Sequence, residues 1–171
     1  SGSPPRTKRD RPADGGGGRG VVLGVKTAYD IVKAREKHGK DKYLIQEEII
    51  PAVIRGRKAW FRSFYVYGNI ILCWWDNQTG EYHRVTSRAE RKYKLKELKR
   101  ITKKIAEIAR INFFSTEIAM TGTGRFVVVD YVNDICDMRL KSKAFDGVPD
   151  DVVMDIVREF VDSVRSIIKS R

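Results

Sequence analysis

Two apolar runs joined by a short turn constrain this chain more than any other feature. Phe113–Met120 (FFSTEIAM) and Arg125–Asn133 (RFVVVDYVN) read as strands linked through Thr121-Gly122-Thr123-Gly124. Glu117 sits within the first run and Asp130 within the second, and Asn133 follows as the second strand runs out. A carboxylate among valines is costly to bury unless a cation or a hydrogen-bond network compensates it. Two such carboxylates and an amide oxygen make a hard-oxygen donor set suited to Mg²⁺. The same pattern arises where a strand carboxylate faces solvent or pairs with a nearby arginine. The hairpin alone leaves these readings open.

The rest of the chain alternates strand and helix signals. Val21–Val25 reads as a short strand, and Thr27 can cap a helix running to about Lys37. Lys42–Ile50 (KYLIQEEII) is a strand stopped by Pro51, and Lys58–Tyr67 with Ile70–Trp75 forms a hairpin about Gly68-Asn69. Glu81–Thr86 adds a third strand to that meander. Leu95, Leu98, Ile101, Ile105 and Ile108 recur at helical spacing with lysines on the other face. After the carboxylate hairpin comes an irregular polar loop, 134–147. Pro149 and Asp150 then open a last helix, striped by Val152, Ile156, Phe160, Val164 and Ile167 or Ile168. This order predicts an α+β fold, a mainly antiparallel sheet with helices packed on one face. Residues 1–20 read as a flexible basic and glycine-rich segment, and 21–171 as one α+β domain.

At 171 residues the chain can bury a real core, and its 42% hydrophobic and 33% charged residues describe a globular protein with a charged surface. No run of about 18 apolar residues is present, which excludes a membrane-spanning helix. The two cysteines, Cys73 and Cys136, form neither a CxxC pair nor a zinc set, and with no export signal the expectation is free thiols in a reducing cytoplasm. The net charge of +12, from 34 Lys plus Arg against 22 Asp plus Glu, predicts attraction to phosphates. Between Arg88 and Lys104 nine basic residues stand against Glu90 and Glu97. A plain solvated helix face explains that run better than a nucleic-acid site.

Gly15-Gly16-Gly17-Gly18-Arg19-Gly20 leads directly into the Val21 strand. Glycines let backbone N–H groups close on a phosphate, and Arg19 adds charge. A strand follows the glycines rather than a helix, so neither a Walker loop nor a Rossmann fingerprint fits. The four glycines by themselves equally fit a flexible linker. Taken in order, the glycine loop, LIQEEI (44–49), FRSFYVYGNI (61–70), FFSTEIA (113–119) and FVVVDYVND (126–134) resemble the ATP-grasp superfamily, from its glycine-rich loop to its end.

That resemblance implies ATP and Mg²⁺ as cofactors and assigns roles by position. Gly15, Gly16, Gly17, Gly18 and Arg19 would cover the β- and γ-phosphates. Gln46 and Glu47 would meet the adenine edge, with Glu47 or Glu48 at the ribose. Arg62 would bind phosphate or the acyl-phosphate transition state, where a planar fork of donors suits spread charge. Glu117, Asp130 and Asn133 would hold the metal. Arg139 either pairs with Asp137 or holds an anionic substrate, and the second reading is preferred. The family's last motif separates its acidic residue and its Asn by one residue, whereas Asp130 and Asn133 are separated by two. The substrate domain and lysine-bearing strands that normally precede the glycine loop have no counterpart here. A partial domain needing an upstream domain or partner chain is therefore expected.

The activity so implied is a ligase forming an acylphosphate from a carboxylate substrate, for attack by an amine or thiol. The acceptor would be an anionic small molecule or peptide. A kinase of the same fold acting on a small hydroxyl substrate is the close variant. A non-catalytic nucleic-acid-binding module is the competing class, but it leaves Glu117 and Asp130 unexplained, because they would repel such a ligand. His83, between Tyr82 and Arg84, reads as a surface histidine, and Trp74 and Trp75 as sheet core.

Overall fold

The computed structural model describes residues 8–12, 22–36 and 43–170. The chain divides into two compact units, Ser1–Ile49 and Ile50–Arg171. In the first, strands β1 (Lys8–Pro12), β2 (Val22–Val25) and β3 (Tyr43–Glu47) form an antiparallel sheet in the order β2-β1-β3, and helix α1 spans Ala28–Glu36. Thr27 caps α1 as its sequence position predicts. Its hydroxyl accepts from the Asp30 N–H at 3.2 Å, while the Asp30 carboxylate accepts from the Lys26 and Thr27 N–H groups at 3.0 and 2.9 Å. Those two donated bonds hold the Asp30 pKa below its ordinary value. β1 falls in the segment read from sequence as flexible, because Lys, Arg, Asp and Pro give no alternating apolar signal. Pairing on both sides makes it a strand.

The second unit opens with a small hairpin, β4 (Val53–Ile54) and β5 (Arg57–Lys58), turned through Arg55 and Gly56 at φ +49° and +76°. β6 (Trp60–Val66), β7 (Asn69–Trp75) and β8 (Tyr82–Arg84) form a meander. After helices α2 (Ser87–Lys92) and α3 (Lys96–Ala109) come β9 (Phe113–Met120), β10 (Phe126–Asn133) and the long α4 (Asp150–Lys169). β6 to β10 form one sheet in the order β10-β9-β6-β7-β8, antiparallel throughout. The α+β class and antiparallel sheet agree with the sequence reading. The β6–β7 turn sits one residue earlier than expected, at Tyr67-Gly68 (φ +46° and +101°), a hairpin turn with positive φ at both central residues.

β6 is buried on both faces, and this decides where the helices go. Phe61 packs with Leu72, Trp74, Leu95 at the start of α3 and Leu98 within it, and the buried Ser63 hydroxyl accepts from Thr102 of α3 at 2.8 Å. Phe64 and Val66 point the other way and pack with Val152, Val153 and Ile156 of α4. The two long helices thus take opposite faces rather than gathering on one. Arg84 of β8 ties α4 down through Asp151 at 2.8 Å and Asp155 at 2.6 Å.

That tie has a pH signature. The hydrogen bond from Arg84 holds the Asp155 pKa below its ordinary 3.8. A depressed folded-state pKa contributes stability above the unfolded value and loses it as pH falls through the folded one. Acid titration below that ordinary aspartate value should therefore loosen α4. Arg84→Gln should remove this step from the helical signal in circular dichroism.

The loop 134–148 is closed by a glycine whose space is accounted for. A Cβ on Gly147 would sit 2.7 Å from the Arg139 carbonyl oxygen and from Leu140 backbone atoms. Gly147→Ala should cost roughly 1–3 kcal/mol, read by chemical denaturation, because backbone and not a movable side chain must yield.

Candidate functional site

Three neighbouring strands bring the charged residues together. Arg62 on β6 stands directly opposite Glu117 on β9, and Glu117 in turn stands opposite Asp130 on β10. Directly opposed residues of an antiparallel pair project to the same face. Arg62, Glu117 and Asp130 therefore form a row across the sheet. Ser115 lies two residues before Glu117 on that same face, and Asn133 is its partner on β10.

Asp130 and Asn133 reach this face only because β10 is irregular. Val128 pairs with Ile118, and an unbroken ladder would set Asp130 opposite Thr116, on the α3 side. The register slips by one residue between Val128 and Asp130, and again between Asp130 and Asn133. Each slip is a bulge that places two residues of one strand against one of the other. The first turns Asp130 onto the Glu117 face. The second absorbs the extra residue between Asp130 and Asn133, so that both face the same way. The Thr116 hydroxyl donates to the Asp130 carbonyl at 2.8 Å and secures the irregular stretch.

Arg62 and Glu117 are tightly engaged. Their side chains are only 10% and 12% exposed, and the guanidinium Nη2 lies 2.7 Å from Glu117 Oε1. The Trp60 indole N–H donates to Glu117 Oε2 at 3.4 Å. Arg62 also stacks over the Trp75 ring, 4.6 Å from its centre, which replaces part of its lost hydration. Its Nε–H is buried with no hydrogen-bond partner among the described residues. The arginine pairing that the sequence left open is thus formed. Asp130 is half-buried and has no ion-pair partner among the described residues. Asn133 uses its amide N–H₂ toward the Ser115 carbonyl at 3.4 Å, which turns its side-chain oxygen elsewhere.

Beside this row lies a cleft of about 250 Å³ lined by Arg62, Trp75, Tyr82, Asn133, Arg139 and Asp146, among others. Arg139 donates to Asp137 through Nε and Nη2, at 3.0 and 2.9 Å, and to Asp146 through Nη1 and Nη2, at 3.1 and 3.0 Å. Four of its five N–H donors are used, leaving one. Burial pushes the Asp137 pKa up, but the bonds from Arg139 outweigh it and the net shift is downward. Burial pushes the Cys73 and Cys136 thiols up to about 12 and about 11, so neither is a nucleophile at neutral pH. Burial, followed by the Arg57 and Lys141 charges, keeps the His83 pKa below 6.5.

The structure thus groups Arg62, Glu117, Asp130 and Asn133, with Arg139 lining the adjoining cleft. Gln46, Glu47 and Glu48 belong to the first unit. Gly15, Gly16, Gly17, Gly18 and Arg19 lie outside the described residues. Trp75 and Asp146 are the site residues that sequence reading missed as such. Period-two alternation could have flagged Trp75, but nothing local announces Asp146. Among the described residues no three His, Cys, Asp or Glu side chains cluster as a metal cage. Two carboxylates and an amide oxygen are donors of the kind Mg²⁺ takes beside waters and substrate phosphates, with Glu117 here already shared with Arg62.

The chain was compared with known proteins. No protein-family model matches it, and no curated protein matches it. Solved structures do. The ATP-grasp ligase PsnB complexed with precursor peptide PsnA2 and AMPPNP superposes with a TM-score of 0.56 at 12% identity, covering 90% of this chain. The fold is ATP-grasp-like. PsnB complexed with minimal precursor, Mg and ADP gives a TM-score of 0.57 at 13% identity over 90% of the chain. In both cases this chain spans 46% of the other's length. Among the described residues no helix is long and apolar enough to cross a membrane.

Proposed function

We propose that this chain is an ATP- and Mg²⁺-dependent ligase-type domain that activates a substrate carboxylate as an acylphosphate for attack by an amine or thiol. The observation that carries the reading is the row Arg62, Glu117, Asp130, with Asn133 turned onto the same face by a bulge, on an ATP-grasp-like sheet.

Glu117, Asp130 and Asn133 would hold Mg²⁺, which when bound neutralises phosphate charge. Arg62 would steady the oxygens of the transferring phosphoryl group. Its guanidinium is held from below by Glu117 and from one side by Trp75, so it need not reorganise as charge develops. In the reaction the substrate carboxylate oxygen attacks the γ-phosphorus and ADP departs. An amine or thiol then adds to the acyl carbon, and phosphate leaves. Gly15–Gly18 and Arg19 are proposed to close over the phosphates, and Gln46, Glu47 and Glu48 to meet adenine and ribose. The remaining N–H of Arg139 would orient an anionic acceptor at the cleft. PsnB was solved with a precursor peptide, which supports a peptide as one acceptor class for this chain. Because the chain spans less than half of PsnB, a further domain or partner chain is proposed to complete the acceptor site.

Isothermal titration of the chain with AMPPNP, with and without Mg²⁺, tests the reading. Binding that requires the metal is expected. Absence of binding, or binding of equal strength in EDTA, overturns it.

A further inference from the structure

The second unit carries another groove, lined by none of Arg62, Glu117, Asp130, Asn133 or Arg139. It runs between the β4–β5 turn and α2 and encloses about 430 Å³. Four cations converge on it, Arg55, Arg57, Arg88 and Lys92, and none of its lining residues is acidic. All four are exposed, and none has a carboxylate partner among the described residues. Other arginines of this unit do meet carboxylates, as Arg84 does with Asp151 and Asp155, or Arg100 with Glu97. The carboxylate closest in sequence, Glu90, is turned away and paired with Lys99 at 2.9 Å. Arg55 is held at φ +49°, a conformation an arginine rarely adopts, by the turn that aims it at the groove. Like charges gathered without counter-charges repel one another, and an anionic ligand relieves that cost.

We infer that this groove is a docking site for an acidic peptide segment, separate from the Arg62–Glu117 row and independent of nucleotide. Guanidinium forks suit carboxylates, and Ile54 and Ala89 give the groove apolar wall for the peptide's aliphatic stems. A single-stranded nucleic acid would need open aromatic faces to stack its bases. Those faces are taken. Trp74 is only 8% exposed and meets Tyr93 edge-on, with ring centres 6.2 Å apart, while Lys92 Nζ lies 5.6 Å over the Tyr93 ring.

Fluorescence anisotropy with a labelled oligoglutamate peptide tests the site, in parallel with an oligothymidylate of matched charge. Arg55→Glu/Arg88→Glu is compared with Lys103→Glu/Lys143→Glu, which changes net charge equally at exposed sites away from the groove. The peptide should bind, weaken with added salt, and lose about tenfold in affinity in the groove variant but less than about twofold in the control. Arg55→Gln/Arg88→Gln, which removes charge without reversing it, should show the same loss should the reversed variant fold poorly. No peptide binding at low salt, equal losses in the groove and control variants, or tighter binding of the oligothymidylate to the groove would each overturn the proposal.

Discussion

Asp130→Asn should abolish the metal dependence of nucleotide binding while leaving the fold intact or slightly more stable. Asp130 stands directly opposite Glu117, and two like charges so placed on one face of a sheet repel. Removing one charge while keeping the shape relieves that repulsion, so thermal unfolding without metal should hold or rise. Binding should move the other way. Residues that merely support a metal ligand are typically worth about ten- to a hundredfold in affinity, so a direct ligand should cost about a hundredfold or more. The two readouts therefore diverge. Added Mg²⁺ and AMPPNP should raise the melting temperature of the parent chain and leave that of the variant where it was. A carboxylate with a purely structural role would give parallel changes in both readouts.

Arg62→Ala should be strongly destabilising. It removes the guanidinium that lies 2.7 Å from the nearly buried Glu117 carboxylate, and it empties the space over Trp75. Breaking one side of such a pair typically costs roughly 3–5 kcal/mol, because the remaining charge stays desolvated. Replacing both partners by apolar groups of similar volume costs far less and can stabilise. Arg62→Met/Glu117→Leu should therefore recover most of the stability lost in Arg62→Ala, as urea denaturation would report. Metal-dependent nucleotide binding should stay absent in the double variant. Recovery of binding along with stability would show the pair to be scaffold only.

The long amphipathic elements were legible because their period is written in apolar residues. Leu98 and Ile105 of the expected stripe are buried in α3 beside Thr102 and Ala106, though Ile108 is 73% exposed, and Val152 and Ile156 anchor α4 while Phe160 is 40% exposed. Short polar elements carried no such signal. Ser87–Lys92 has no buried residue, and although Thr86 caps it, accepting from the Ala89 N–H at 3.2 Å, no acidic residue completes a capping box. The Val53–Lys58 hairpin is too brief for alternation to register. The placement of α4 depended on β6 being apolar on both faces, visible in Phe61 against Phe64 but easily read as one continuous strand. At the site, residue types were legible and partnerships were not. Nothing near Arg62 in sequence points to Glu117, since the β6–β9 register is set by packing of the whole sheet.

The paired irregularities of β10 bear on how distant relatives of this fold can be found. Counted along the chain, Asp130 and Asn133 are one step too far apart. Counted across the sheet, they occupy the places that a shorter interval would reach. A pattern that aligns letter by letter records that surplus residue as an error, whereas hydrogen-bonded neighbours take it up as slack. Spacing between side chains that share a face is therefore a property of the folded ladder, and likeness of this sort is better sought by superposing strands than by spelling.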